Sequence, residues 1–266
     1  MNTVLAAGLL LCLAVSPLVS HAQALTLKTQ EGAEIGLQVS TYRYEEVVDN
    51  TTFMDTKGRK MGVTASGTHV LDEQWRDWFV TVEGSYVAGT VNYEGSGTLD
   101  GSMDDITVIR VTAGRDISYA RHVASYFAGL GRRSLFNDLR GTTSTGASGY
   151  RRESTYYYLP LGVTLRLPWT SQARVATTLE YDYLIRGQQV SYTTDYGEAS
   201  DLHNTQRRGY GIRLGTAYET ALWSAGVFYN YWNIADSDTA TAGSLTGYEP
   251  KNTTKEFGIQ IKYRFY

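Results

Sequence analysis

Eight ionisable residues stand at positions that alternate with apolar ones: Glu83, Arg110, Arg166, Glu180, Asp182, Arg213, Lys262 and Arg264. Carboxylates and cations that meet across a narrow enclosed space either lock into a salt-bridge plug or line a small charged pore. On this reading Glu83 neighbours Arg110, and Glu180 with Asp182 lies between Arg166 and Arg213. A second group is Asp201, Leu202 and His203, with Asp104 and Asp105 far upstream. An imidazole flanked by carboxylates can act on water as a general base. Asp104 and Asp105 are adjacent, however, so an extended chain points them to opposite faces. In a third group, Arg132, Arg133, Arg140, Arg151 and Arg152 flank one polar stretch, and Arg186, Arg207 and Arg208 flank another. Guanidinium groups match phosphate oxygens in geometry and charge; Asp195, Glu198 and Asp201 offer them ordinary ion pairing instead. The sequence has no phosphate-cradling glycine loop, zinc-ligand cluster, calcium loop or nucleophile elbow, so neither a metal nor a cofactor is expected.

Strands are the elements that would carry these residues. The clearest segment sets Tyr157, Leu159, Leu161, Val163, Leu165 and Leu167 on one face and Tyr158, Gly162, Thr164 and Arg166 on the other, the period of two that marks a strand. Comparable segments begin near Glu34 and recur to a count of about ten, each long enough to cross a thin bilayer with about 9–11 tilted residues. The segment from Leu222 to Ile234 is aromatic on both faces, and its register is the least defined by pattern. With 21 Tyr against 7 Phe and 27 Gly against 4 Pro, the composition suits half-wet strands around a close-packed interior. Charged residues at 19% and a mean hydropathy of −0.29 match a soluble chain, but averaging hides the apolar half of every strand. A formal net charge of −3 excludes a general nucleic-acid-binding role.

Links between the segments alternate in length. Short ones fall near Leu71 to Asp77, Asp116 to His122, Pro168 to Gln172 and Glu219 to Ala221. Long ones fall near Glu46 to Thr56, Gly95 to Asp105, Phe136 to Arg151, Ser191 to Thr205 and Ala235 to Asn252. Trp75, Trp78, Trp169 and Trp223 sit beside the short links, where an interfacial aromatic girdle belongs. A soluble barrel with a dry ligand cavity would have to place Arg110, Arg166, Glu180, Asp182, Arg213, Lys262 and Arg264 in apolar surroundings. An apolar exterior around a wet lumen avoids that cost.

The last ten residues alternate Phe257, Ile259, Ile261, Tyr263 and Phe265 with Gly258, Gln260, Lys262 and Arg264. This stretch resembles the C-terminal strand of bacterial outer-membrane β-barrels. The resemblance implies that Tyr263, Phe265 and Tyr266 are read by the barrel-assembly machinery; because Tyr266 is out of phase, Phe265 is expected to be the signal residue. The stretches 230–238 and 248–252 are similar to the final hairpin of a group of proteobacterial outer-membrane barrels, which implies architecture only. The strand count, with Asp-x-His on the fourth long link and carboxylates on the second, is similar to the omptin family of outer-membrane proteases. That likeness implies a catalytic set of Asp201, His203, Asp104 and Asp105, although omptins carry Asp-x-Asp where this chain has adjacent residues.

The expected organisation has three parts. Residues 1–22 read as a Sec signal peptide, with an apolar core from Val4 to Val15, Pro17, and small residues around Ser20, His21 and Ala22. The apolar run is too short for a transmembrane helix, and the single Cys12 lies inside it, leaving the mature chain without cysteine. Residues 23–33 form a short periplasmic segment. Residues 34–266 form an all-β, antiparallel up-and-down transmembrane barrel, monomeric, in the bacterial outer membrane. The expected role is non-enzymatic: a charge-plugged lumen, with outer links that contact membrane lipid, lipopolysaccharide or a surface partner. Arg132, Arg133, Arg151, Arg152, Arg207 and Arg208 are the expected lipopolysaccharide contacts. A narrow solute channel and an omptin-like hydrolase are the alternatives.

Overall fold

The computed structural model describes residues 25–71 and 73–266; the expected signal peptide lies outside the described residues. The strands in chain order are β1 (Gly32–Val48), β2 (Thr51–Val70), β3 (Trp78–Gly95), β4 (Gly97–Tyr119), β5 (His122–Thr142), β6 (Ser148–Thr170) and β7 (Ala173–Ser191). They continue as β8 (Leu202–Gln206), β9 (Gly209–Glu219), β10 (Trp223–Ile234), β11 (Ala240–Ala242), β12 (Leu245–Gly247) and β13 (Lys251–Phe265). Neighbouring strands pair antiparallel, and β8 and β9 both pair with β7, so together they make one stave. The sheet closes where β1 meets β13, from Ala33 opposite Phe265 to Val47 opposite Lys251. The result is a closed barrel of ten staves among the described residues, with β11 and β12 a small separate hairpin. Closure leaves no unpaired strand edge, which is what allows a sheet to sit in hydrocarbon.

The outward positions form an apolar belt. Leu37, Met61, Ile109, Leu130, Leu161, Leu179 and Ile259 are each more than half exposed. An apolar surface running around the whole molecule is unstable against water and suited to lipid. Trp75, Trp78, Trp169 and Trp223 are exposed at one rim, beside the short turns. Inward, small residues make room for large ones: a Cβ on Gly131 would lie 2.2 Å from the Tyr158 ring, and one on Gly211 would lie 2.8 Å from that of Trp232. The β10 register, undefined by pattern, resolves with Trp223, Val227 and Tyr229 outward and Trp232 buried at 2% exposure.

Three of the five expected long links are mostly strand. The turn from β1 to β2 is only Asp49 and Asn50, both at positive φ (48° and 61°), as a two-residue hairpin turn demands. β3 and β4 are joined at Ser96, and β5 and β6 by residues 143–147. The expectation failed for a physical reason. Beyond the belt the outward side chains turn polar, as in Arg43 and Glu45 on β1 or Asp55 and Lys57 on β2, so the apolar alternation ends while the backbone ladder continues. The staves therefore stand well clear of the belt on the side opposite the tryptophans.

Candidate functional site

Inward side chains interact across the lumen in three layers. In the middle layer, Arg110 on β4 holds Glu83 on the adjacent β3 through two hydrogen bonds, 3.0 and 3.3 Å. Its Nη1 crosses the lumen to Glu180 on β7, at 2.6 Å. Arg213 on β9 donates from Nε to Asp182 at 2.8 Å and from Nη2 to the Tyr158 hydroxyl at 2.9 Å, and its Nε lies 3.3 Å from Glu180. Glu180 and Asp182 are 1% and 0% exposed. Lys262 lines the same cavity, of about 250 Å³, as do Glu34, Glu219, Glu256 and Arg133. The ion-paired side chains come from staves on opposite walls, and their pairing bridges the bore.

The lower layer lies toward the short turns and is built from the charged residues there together with residues 26–30. Arg174 on β7 donates to Glu219 at 2.6 Å, to the Lys28 carbonyl at 2.9 Å and to the Thr26 carbonyl. Thr29 donates its backbone N–H (2.7 Å) and its hydroxyl (3.0 Å) to Asp116, and Lys28 pairs with Asp77 at 2.7 Å. Arg264 binds Glu34 at 2.9 Å and also reaches Gln30. The Tyr266 hydroxyl donates to the Ala221 carbonyl at 2.6 Å. Arg166 donates to Ser125 and stands 4.0 Å from Asp116. The expected place of Arg166 beside Glu180 is therefore corrected: the register sets Gly162 opposite Glu180 and Arg166 opposite Ala176, one layer lower.

The upper layer mixes aromatic and ionic groups. Lys60 and Asp104, both without exposed side-chain surface, form an ion pair that also takes Asn137, and the Lys60 ammonium sits 3.8 Å above the Tyr42 ring. Trp232 stacks on Tyr156 at 6.0 Å and meets Tyr158 edge-on at 5.1 Å. Higher still, Arg152 holds Glu46 and Glu249. Burial, the largest cause, and the neighbouring Glu46 push the Glu249 carboxyl up to about 8 against the pull of Arg152. At the exposed rim the effect reverses: the hydrogen bond from Arg151 holds the Asp195 carboxyl below its usual range.

The other sequence-derived groups separate in space. Asp104 is buried on Lys60, while Asp105 points outward on β4. Asp201 accepts from the Thr194 N–H and hydroxyl at 3.1 and 2.7 Å, and His203 is exposed on β8. None of these four pairs with another among the described residues, so the omptin-like set does not assemble. Of the expected rim arginines, Arg133 and Arg152 are 3% and 5% exposed and belong to the lumen. Each follows another arginine directly, and adjacent strand positions face opposite sides; Arg132, Arg151, Arg207 and Arg208 remain outside. Tyr263 and Phe265 face outward beside each other, 5.0 Å apart. The sequence reading missed the Lys60–Asp104 pair, the Glu46–Arg152–Glu249 group and the role of residues 26–30. Lys60 and Asp104 share an inward face with Ser40 and Tyr42, a signal available only once the strands are extended past the belt.

No family model and no curated protein matches the chain. Among solved structures it is similar to the outer membrane protease OmpT from Escherichia coli, with a TM-score of 0.56 over 90% of this chain and 100% of that one, at 9% identity. Weaker likenesses are the transport unit of the autotransporter AIDA-I from Escherichia coli (TM-score 0.45, 10% identity, 91% and 93% covered) and the toluene transporter TodX from Pseudomonas putida (TM-score 0.37, 11% identity, 89% and 90% covered). At such identities the likeness concerns the fold alone. With its closed ten-stave ladder and its apolar belt, the chain is by fold an outer-membrane β-barrel.

Proposed function

We propose that this protein is a closed, non-enzymatic barrel of the bacterial outer membrane that contacts lipopolysaccharide on its outer surface. The observation that carries the surface contact is a row of cations immediately above the belt. Lys255, Arg43 and Lys57 lie side by side on β13, β1 and β2, in register, about 10 Å from end to end at the ordinary strand spacing. Arg59 stands one outward position lower, opposite Thr41, and the next row, Ile259, Val39 and Met61, is apolar. Their side chains are 46–59% exposed for the three upper cations, with Glu45 and Asp55 as the carboxylates beside them. Four cations against three carboxylates, Glu45, Asp55 and Glu94, which stands opposite Asp55 on β3, leave a surplus positive charge at the depth of a lipid headgroup. That matches the phosphates of lipopolysaccharide, whose acyl chains would lie against the belt. Arg132, on β5 opposite Ile109 and Tyr157, and the Arg207–Arg208 pair between β8 and β9 are further outward cations away from this row.

The ion pairs that span the bore, Arg110 to Glu180 above all, support the non-conducting part of the reading, and the dispersal of Asp104, Asp105, Asp201 and His203 supports the non-enzymatic part. A triple variant, Arg43→Glu, Lys57→Glu and Lys255→Glu, tests the surface contact. Its affinity for purified lipopolysaccharide should fall at least tenfold, whereas Arg207→Ala with Arg208→Ala should cost a few-fold at most. Undiminished binding by the triple variant would contradict the assignment.

A further inference from the structure

Above the sealed lumen, the outer ends of the staves and the β12 hairpin enclose a cup of about 560 Å³. That volume falls in the range of small-molecule sites, roughly 300–1,000 Å³. Its walls are apolar and aromatic, with Phe53, Tyr150, Tyr196 and Tyr248 among them, and the Tyr150 and Tyr196 rings lie 5.5 Å apart. Its floor is ionic: Glu46, Arg152 and Glu249 are 2%, 5% and 4% exposed.

The floor is unevenly matched. Glu46 Oε1 and Glu249 Oε1 both accept from the same Arg152 nitrogen, Nη2, and both lie 2.9 Å from the Tyr44 hydroxyl, whose single proton serves one of them at a time. The rest of the guanidinium meets no oxygen: Nη1 contacts the Met54 sulfur at 3.1 Å, and the buried Nε has no partner among the described residues. Two carboxylates thus converge on one nitrogen of one cation. An anionic ligand entering the cup would meet both carboxyl groups, and a neutral apolar one would leave the shared cation and the Glu249 proton as they are. An ammonium group can take the place of that proton and bring several donors to two carboxylates, while aromatic walls favour a cation with an apolar body.

We propose that the cup binds a small hydrophobic primary amine, its ammonium seated between Glu46 and Glu249 and its body against Tyr150, Tyr196 and Tyr248. The groups facing Glu249 are Glu46 and Tyr44 from β1 and Arg152 and Tyr150 from β6. Because Glu249 keeps its proton until about pH 8, the arriving ammonium displaces that proton, and binding at neutral pH releases it to buffer.

Calorimetry on the refolded barrel in non-ionic micelles, with benzylammonium chloride and sodium benzoate as probes, tests this. Benzylammonium should bind saturably and benzoate should not, and the heat should change with the ionisation enthalpy of the buffer. Glu249→Gln should weaken benzylammonium binding at least tenfold. Leu245→Trp, on the small hairpin outside the barrel, should abolish it by filling the cup while leaving the charges alone. Equal binding of benzoate, no saturable binding at millimolar benzylammonium, or binding unchanged in both variants would overturn the proposal.

Discussion

Arg110 holds carboxylates that belong to opposite walls, so its removal strands the buried Glu180 and the partly buried Glu83 at once. Breaking a buried pair from one side costs on the order of 3–5 kcal/mol, and Arg110→Ala should lower the stability of the refolded barrel by about that amount in denaturant titrations. Arg110→Met combined with Glu83→Gln should cost far less, because one cation and one carboxylate leave together and Glu180 keeps Arg213; equal losses would show that the network does not act as a unit. Glu249 gives a pH signature. Its carboxyl titrates near 8 when folded against an ordinary value of 4.5, so across that interval the folded state carries a proton that the unfolded chain has released. Stability should then fall as pH rises from about 5 to 8, by at most roughly 1.4 kcal/mol per unit, and level off above. Glu249→Gln should flatten that slope, and a slope unchanged in the variant would place the titration elsewhere. The inward charges of the belt region were legible because they interrupt apolar alternation. Arg133 and Arg152 were misplaced because each sits where both faces are polar, and period alone does not say which of two neighbouring arginines turns inward.

The staves were legible wherever lipid faces them and faded where it does not. The β1–β2 hairpin shows the boundary: Ile35, Leu37 and Val39 announce a strand, whereas Arg43, Glu45, Asp55 and Lys57 announce nothing, although the ladder runs on to Val48 with one register shift between Glu46 and Val47. The segment 26–30 was read only as a short lead-in, since its capture depends on partners such as Arg174 and Asp116, scores of residues away. Arg174 holds its first residues through the Thr26 and Lys28 carbonyls, beside the ties of Thr29 to Asp116 and Lys28 to Asp77. Arg174→Ala should free the segment, so that trypsin cuts after Lys28 at least several-fold faster than in the native barrel. The same variant should remain electrically closed, because the Arg110–Glu180 bridge is untouched; a pore opened by Arg174→Ala alone would mean that the lower layer, not the middle one, is the seal.

For the molecule as a whole, the three layers stack along one bore: the segment 26–30 with Arg174, Arg264 and Asp116, the Arg110–Glu180–Arg213 bridge, and the aromatic layer of Tyr156, Tyr158 and Trp232 beneath the cup. The belt sets where lipid lies, the cation row of Arg43, Lys57 and Lys255 sits at its outer edge, and the cup opens beyond it. Ion pairing across the bore was foreseeable from charge alternation in so narrow a barrel, but the aromatic layer above it was not, since that layer depends on Gly131 and Gly211 leaving space for Tyr158 and Trp232. Single-channel recording of the refolded native barrel in a planar bilayer tests the sealed lumen most directly. The structure predicts a flat trace from protein shown to be folded and inserted; discrete, reproducible conductance steps from that same protein would contradict it.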